Sequence, residues 1–191
     1  DESVSTFLQD VISTDEKYYS VADAYKALVA VDTAAARQKV DALLETDSHS
    51  DVIRKSAITY YGSVVTDKNY DRLKELVDYG GTTWDARPEA VNQLTKYVKT
   101  KPKTVDLFVD MLKDNSRDIR RNAVRALNKH GKRTHIGALD ELLARDPIVS
   151  RDIRSAKKNI LHPPKKPAKK GPEKQLEEVN KKLDDIRKLV K

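Results

Sequence analysis

Few side chains in this 191-residue chain are suited to chemistry, and their spacing decides what they can do. Histidine occurs four times, as His49, His130, His135 and His162. A zinc-peptidase helix needs H-E-x-x-H, which sets two imidazoles one turn apart beside a glutamate that works on the metal-bound water. None of the four histidines is followed by Glu, and no two stand four apart. His130 and His135 flank the Gly131 turn and can approach across it, yet the expectation for both is a structural or solvent-facing role. The chain has no Cys, which removes disulfides, thiolate zinc sites and a cysteine nucleophile. It also lacks a G-x-S-x-G elbow and a Gly-rich phosphate loop. The expectation is a chain that is not itself an enzyme, with no catalytic residue, metal or cofactor.

Charge offers two candidate contact surfaces. Asp106, Asp110 and Asp114 recur at i, i+4 and i+8, an acidic stripe read either as a docking surface or as a solvated helix face. Arg120, Arg121, Arg125, Lys129, Lys132 and Arg133 cluster into a basic set suited to phosphate or an acidic partner. The chain carries 37 basic and 30 acidic residues, a net charge of +7. Residues 151–191 hold 14 basic and 6 acidic residues, while the first 150 residues hold 23 and 24. The body is thus read as neutral and the tail as basic. A sequence-reading nucleic-acid groove is not expected, because that affinity needs several phosphate contacts acting together; a HEAT-like nucleic-acid-binding protein using this cluster and the basic linker stands as the weaker alternative. The eight tyrosines crowd the first part of the chain, with Tyr25 and Tyr61 in core columns. The others, with Trp84, are expected to pack over an inter-helix groove or an interface.

The elements that position these groups are read from a repeat. SVADAYKAL (20–28), IRKSAITYY (53–61), ARPEAVNQL (86–94), IRRNAVRAL (119–127) and DIRSAKKNI (152–160) resemble one another. Their alanines, Ala24, Ala57, Ala90, Ala123 and Ala156, are spaced by 33 residues four times in succession. Apolar residues one and four places after each Ala define one helix face. The small residue lets a neighbouring helix come close. A second apolar column follows, with Val40, Leu43 and Leu44, then Leu73, Leu76 and Val77, and later Leu139, Leu142 and Leu143. The third unit is phase-shifted to Val105, Phe108, Val109 and Leu112. Each unit is therefore two helices joined by a short turn. Thr33, Asp67 and Asp146 are expected as N-caps, with Pro147 following the last. Gly80-Gly81 and Gly131 are expected to end helices, and Pro88 to start or bend one. Val4–Ile12 reads as a second helix without its first.

The motifs D-V-I-R (51–54), D-I-R-R-N-A-V-R-A-L (118–127) and R-D-I-R-S-A (151–156) resemble HEAT repeats. Arg54, Arg87 and Arg120 stand three places before their alanines, and inter-repeat hydrogen bonding with nearby Asp is their expected role. The succession D-S-H-S-D-V-I-R, L-K-E-L-V-D-Y-G, W-D-A-R-P-E-A-V, R-R-N-A-V-R-A-L is similar to the C-terminal HEAT-like region of bacterial M1 zinc metallopeptidases (aminopeptidase N-like). That resemblance implies catalytic domains upstream, on which the repeats pack or whose site they restrict.

The expected fold is all-α, a right-handed α-α superhelix of the HEAT-like kind over 1–161, its curved surface lined mainly by second helices. A basic Pro/Lys linker (162–172) and an amphipathic heptad helix (173–191) follow. Leu176, Val179, Leu183, Ile186 and Val190, spaced 3, 4, 3, 4, form a coiled-coil-like seam. A protein partner is expected, either the chain's own missing domains or another protein, with a homodimer through 173–191 as a further option. No apolar run reaches the roughly 18 residues of a membrane span. The start at Asp1, with no apolar leader, reads as a processed chain or a piece of something longer.

Overall fold

The structure is a computed structural model and describes residues 2–164. Its ten α-helices are α1 (Glu2–Thr14), α2 (Tyr18–Val31), α3 (Thr33–Glu45), α4 (Val52–Ser63), α5 (Asp67–Val77), α6 (Arg87–Leu94), α7 (Thr104–Met111), α8 (Arg117–His130), α9 (Ile136–Arg145) and α10 (Ser150–Leu161). A 3-10 turn, Thr95–Tyr97, extends α6. The described residues contain no strand. The 173–191 seam, including Leu176, Val179, Leu183, Ile186 and Val190, and all of the linker beyond residue 164 lie outside them.

The spaced alanines explain the architecture. Each sits on the first helix of a unit, α2, α4, α6, α8 or α10, and the last four are completely buried. Without bulk at that point, α2 packs on α4, α4 on α6, α6 on α8 and α8 on α10, forming one continuous layer. Gly62 gives the same closeness between α4 and α6, where an added Cβ would collide with the Gln93 side chain. The second helices form the other layer. α3 packs on α4 more than on its own partner α2, and α5 packs on α6, α7 on α8 and α9 on α10. Each second helix is thus wedged against the next unit, which makes every unit depend on its neighbour for a core. α1 packs on α2 as a second helix would.

Both apolar columns are buried as their spacing predicts, from Leu28, Ile58, Leu94 and Leu127 in the first layer to Val40, Leu73, Phe108 and Leu139 in the second. Tyr60 and Tyr97 join Tyr25 and Tyr61 inside. The Tyr97 hydroxyl donates to the Tyr61 carbonyl at 2.5 Å, satisfying the end of the neighbouring first helix. Tyr18, Tyr19, Tyr79 and Trp84 are exposed.

Two caps fall one residue earlier than their side-chain types suggest. The Asp32 carboxylate, not Thr33, accepts from Ala35 N at 2.9 Å, and the Thr66 hydroxyl, not Asp67, accepts from Asn69 N at 3.2 Å. A cap must have non-helical backbone and reach the third amide of its helix, and only the earlier residue does both. Asp146 caps as expected, accepting from Ile148 N at 3.2 Å ahead of the turn that Pro147 opens. Pro88 starts α6 and does not bend it.

α10 also redraws the map of charge. It packs against α8 and α9 with Ile153 and Ala156 in the core, so its four cations belong to the solenoid and not to a tail. The last two first helices, α8 and α10, together hold nine Lys or Arg and two Asp.

Candidate interaction surfaces

The column of arginines sits on the edge where each second helix turns into the next first helix. Arg87 Nε donates to the Val77 carbonyl at 2.8 Å, and its outer nitrogen reaches Asp114 at 2.7 Å in the following inter-unit turn. Arg120 repeats this, with two bonds to Asp146 at 2.5 and 3.0 Å and one each to the Asp114 and Asn115 carbonyls at 2.8 Å. Each guanidinium therefore ties two successive inter-unit turns together, with the aspartate 27 or 26 residues downstream. The same offset from Arg54 falls on Gly80-Gly81, which has no acid to give. Arg54 turns back instead, donating to Leu44 O at 2.5 Å and pairing with Asp47 and Asp51 in its own turn. Ser50 and Asp51 lie in the left-handed region, with φ of 53° and 55°. Asp51 is held there by Arg54 and by the Thr83 hydroxyl at 2.5 Å, which restores the link to the next turn.

This ladder removes two residues from the predicted surfaces. Arg120 is not part of an available basic patch, because its guanidinium is consumed by Asp146 and two carbonyls. The Arg120 guanidinium in turn holds the Asp146 carboxyl below the usual carboxylate range. Asp114 is not on the acidic stripe: α7 ends at Met111, and Asp114 folds back to bond Arg87 and the Ser116 amide. Asp106 and Asp110 remain exposed on α7.

The other cations separate by place. Arg121 lies between Asp118 at 3.8 Å and Asp152 at 3.5 Å. Arg125 and Lys129 are exposed along α8, and Lys132 and Arg133 lie in the turn before α9. The His135 Nδ1 accepts from the Lys132 amide at 3.0 Å. His130 is half-buried, and burial, with Lys129 beside it, lowers its pKa. Among the described residues no group of three His, Asp or Glu is placed to hold a metal ion.

A feature that the sequence did not single out lies on the second-helix layer. A cleft of about 490 Å³ separates α3 from α5, with Tyr61 of α4 at its base. Arg37 pairs with Asp41 at 3.0 Å and Arg72 with Glu75 at 2.8 Å, each within one helix and exposed. The Tyr61 hydroxyl donates to Asp41 at 3.3 Å. The Arg37 bond holds the Asp41 carboxyl low, while burial, helped by Asp41, pushes the Tyr61 hydroxyl up. Lys68 lines the cleft with no carboxylate partner among the described residues. The i, i+4 and i, i+3 charge pairs were visible in the sequence, but nothing there showed that two helices some thirty residues apart would bring them to one opening.

Stacked helix pairs, with a buried small residue at a fixed period and an arginine ladder along one edge, define an all-α helical solenoid. Residues 70–157 match the family of HEAT repeats. That family is generally non-catalytic. A comparison with curated proteins finds no match. No helix among the described residues is long and apolar enough to cross a membrane.

Proposed function

We propose that the chain is a non-catalytic scaffold that binds a protein partner through the layer of its second helices. The α3–α5 cleft carries this reading. Its ion pairs, Arg37–Asp41 and Arg72–Glu75, are exposed and lie within single helices, each worth about 0.2–1 kcal/mol, and Tyr61 adds a further hydrogen bond to Asp41. An incoming extended segment can therefore take over those charges at little cost, with the buried Tyr61 side chain as a fixed contact and the exposed Lys68 ammonium open to a carboxylate. HEAT repeats commonly mediate protein interactions, which supports the same conclusion. Selection of a displayed random-peptide library on the full chain tests it. Enriched peptides are expected to slow amide exchange in α3 and α5 and to lose binding on Tyr61→Phe with Lys68→Ala. Protection confined to other helices would sink the reading.

The succession of motifs resembling M1 aminopeptidases supports a more specific placement, as the region that packs on the catalytic domains of such a peptidase or restricts access to their site. The open reading frame decides this: an H-E-x-x-H with a further Glu about 20 residues on supports it, and its absence removes it. The 3, 4, 3, 4 spacing from Leu176 to Val190 favours a second reading, a free-standing scaffold that pairs through that segment. Light scattering on the chain with and without 173–191 tests it, because an unchanged monomer mass excludes pairing there.

A further inference from the structure

We infer that the outer face of α8 and α10 is a binding surface for the phosphate backbone of a nucleic-acid duplex, separate from the cleft between α3 and α5. Arg117, Arg121, Arg125 and Lys129 recur every four residues along α8, which sets them about 6 Å apart on one helix face. The same register returns 33 residues later on α10 as Arg154 and Lys158. The two helices pack directly together, with Asn159 donating to Asn128 at 2.8 Å and Arg121 spanning toward Asp152. The result is two adjacent rows of cations.

Three features favour a phosphate polymer over other partners. Of these six cations, only Arg121 has a carboxylate partner among the described residues; the other five are exposed. The acids on α8 and α10, Asp118 and Asp152, are both engaged with Arg121, and Asp85 and Glu89, beside Arg121 and Arg125, mark the acidic border of the face toward α6. Neither helix exposes a large apolar side chain, whereas the core of a protein interface needs such anchors and an amphipathic membrane surface needs apolar area to insert. Nor does the face carry an exposed aromatic ring, so it has nothing on which to stack the bases of a single strand. Polar, arginine-rich surfaces of this kind suit a duplex backbone, whose charges recur about every 1.7 Å along the axis. In the sequence, Lys165, Lys166, Lys169 and Lys170 follow α10 closely.

Fluorescence anisotropy of a labelled 20-base-pair DNA duplex, titrated with the full chain over a range of salt, tests the inference. Five phosphate contacts predict that log K falls with log salt at a slope of about −4 to −5. Replacing Arg125, Arg154 and Lys158 together by Ala should flatten that slope by about 3, with the helical circular dichroism and melting temperature retained. Replacing Lys165, Lys166, Lys169 and Lys170 by Ala should leave most of the slope in place. The inference is overturned by no binding at 50 mM salt or by an unchanged slope in the triple variant. It is equally overturned if phosphatidylserine vesicles capture the chain at a salt concentration where the duplex does not.

Discussion

Arginine–aspartate pairs occur both on the turn edge of the solenoid and on its second-helix face, and they are different objects. Arg120 and Asp146 belong to different units and are largely shielded, with side chains 16% and 9% exposed. Arg37 and Asp41 lie on one helix and are 43% and 70% exposed. Removing one partner of the first pair leaves a charge that water cannot reach easily, whereas removing one partner of the second leaves a charge already solvated. The edge therefore fixes how units stack, and the open face keeps charges that are free to change partners.

The sharpest way to break this distinction is Arg120→Ala. It strands the Asp146 carboxylate and frees the Asp114 and Asn115 carbonyls, and should cost about 3–5 kcal/mol in urea unfolding. Arg120→Lys should recover little, because an ammonium cannot span one carboxylate and two carbonyls as the guanidinium fork does. A loss no greater than that for an exposed pair would show that the ladder does not hold the units together. Next in size is Ala123→Leu, at a fully buried position of the first-helix layer, where overpacking should cost about 1–3 kcal/mol. Ala144→Leu on the exposed side of α9 should stay within about 0.5 kcal/mol. Equal costs would mean that the close crossing at Ala123 does not need a small residue.

Acid gives a third test. The Asp146 pKa is lowered in the folded chain, first by its hydrogen bond from Arg120. Its contribution is present at pH values above the ordinary carboxylate value of 3.8 and is lost as the pH falls through the lower folded value. Urea midpoints measured at pH 7, 4 and 3 should therefore fall chiefly in the last step. Asp146→Asn should be less stable at pH 7 and show a shallower fall. An identical acid profile in that variant would place the sensitivity elsewhere.

The repeat was legible in the sequence because each unit solves the same packing problem, so Ala57, Ala90, Ala123 and Ala156 mark the same crossing. The arginine column was legible for the same reason, but its partners were only partly so. Asp114 looks like the third member of an acidic stripe until α7 ends three residues before it. Asp32 and Thr66 are not distinguishable as caps by residue type, because each has a neighbour that also carries a side-chain oxygen, and backbone dihedrals choose between them. The division of charge failed at one boundary: a cut at residue 150 assigns the cations of α10 to a tail, although Ile153 and Ala156 bury that helix in the solenoid. The cleft was not legible at all, since its width follows from how α3 and α5 wedge against successive first helices.

A small effect on stability should also come from Arg37→Ala, and its value lies in the pairing of two readouts. The Arg37–Asp41 pair is exposed and within one helix, so its loss should change the urea midpoint by less than about 1 kcal/mol. Asp41 still accepts from Tyr61, and the cleft keeps its walls. If the open face serves contact, peptides selected on the cleft should lose affinity to this variant while its stability stays near that of the parent chain. A variant that loses stability as Arg120→Ala does would instead make the second-helix face a structural seam like the turn edge, and the contrast between the two regions would disappear.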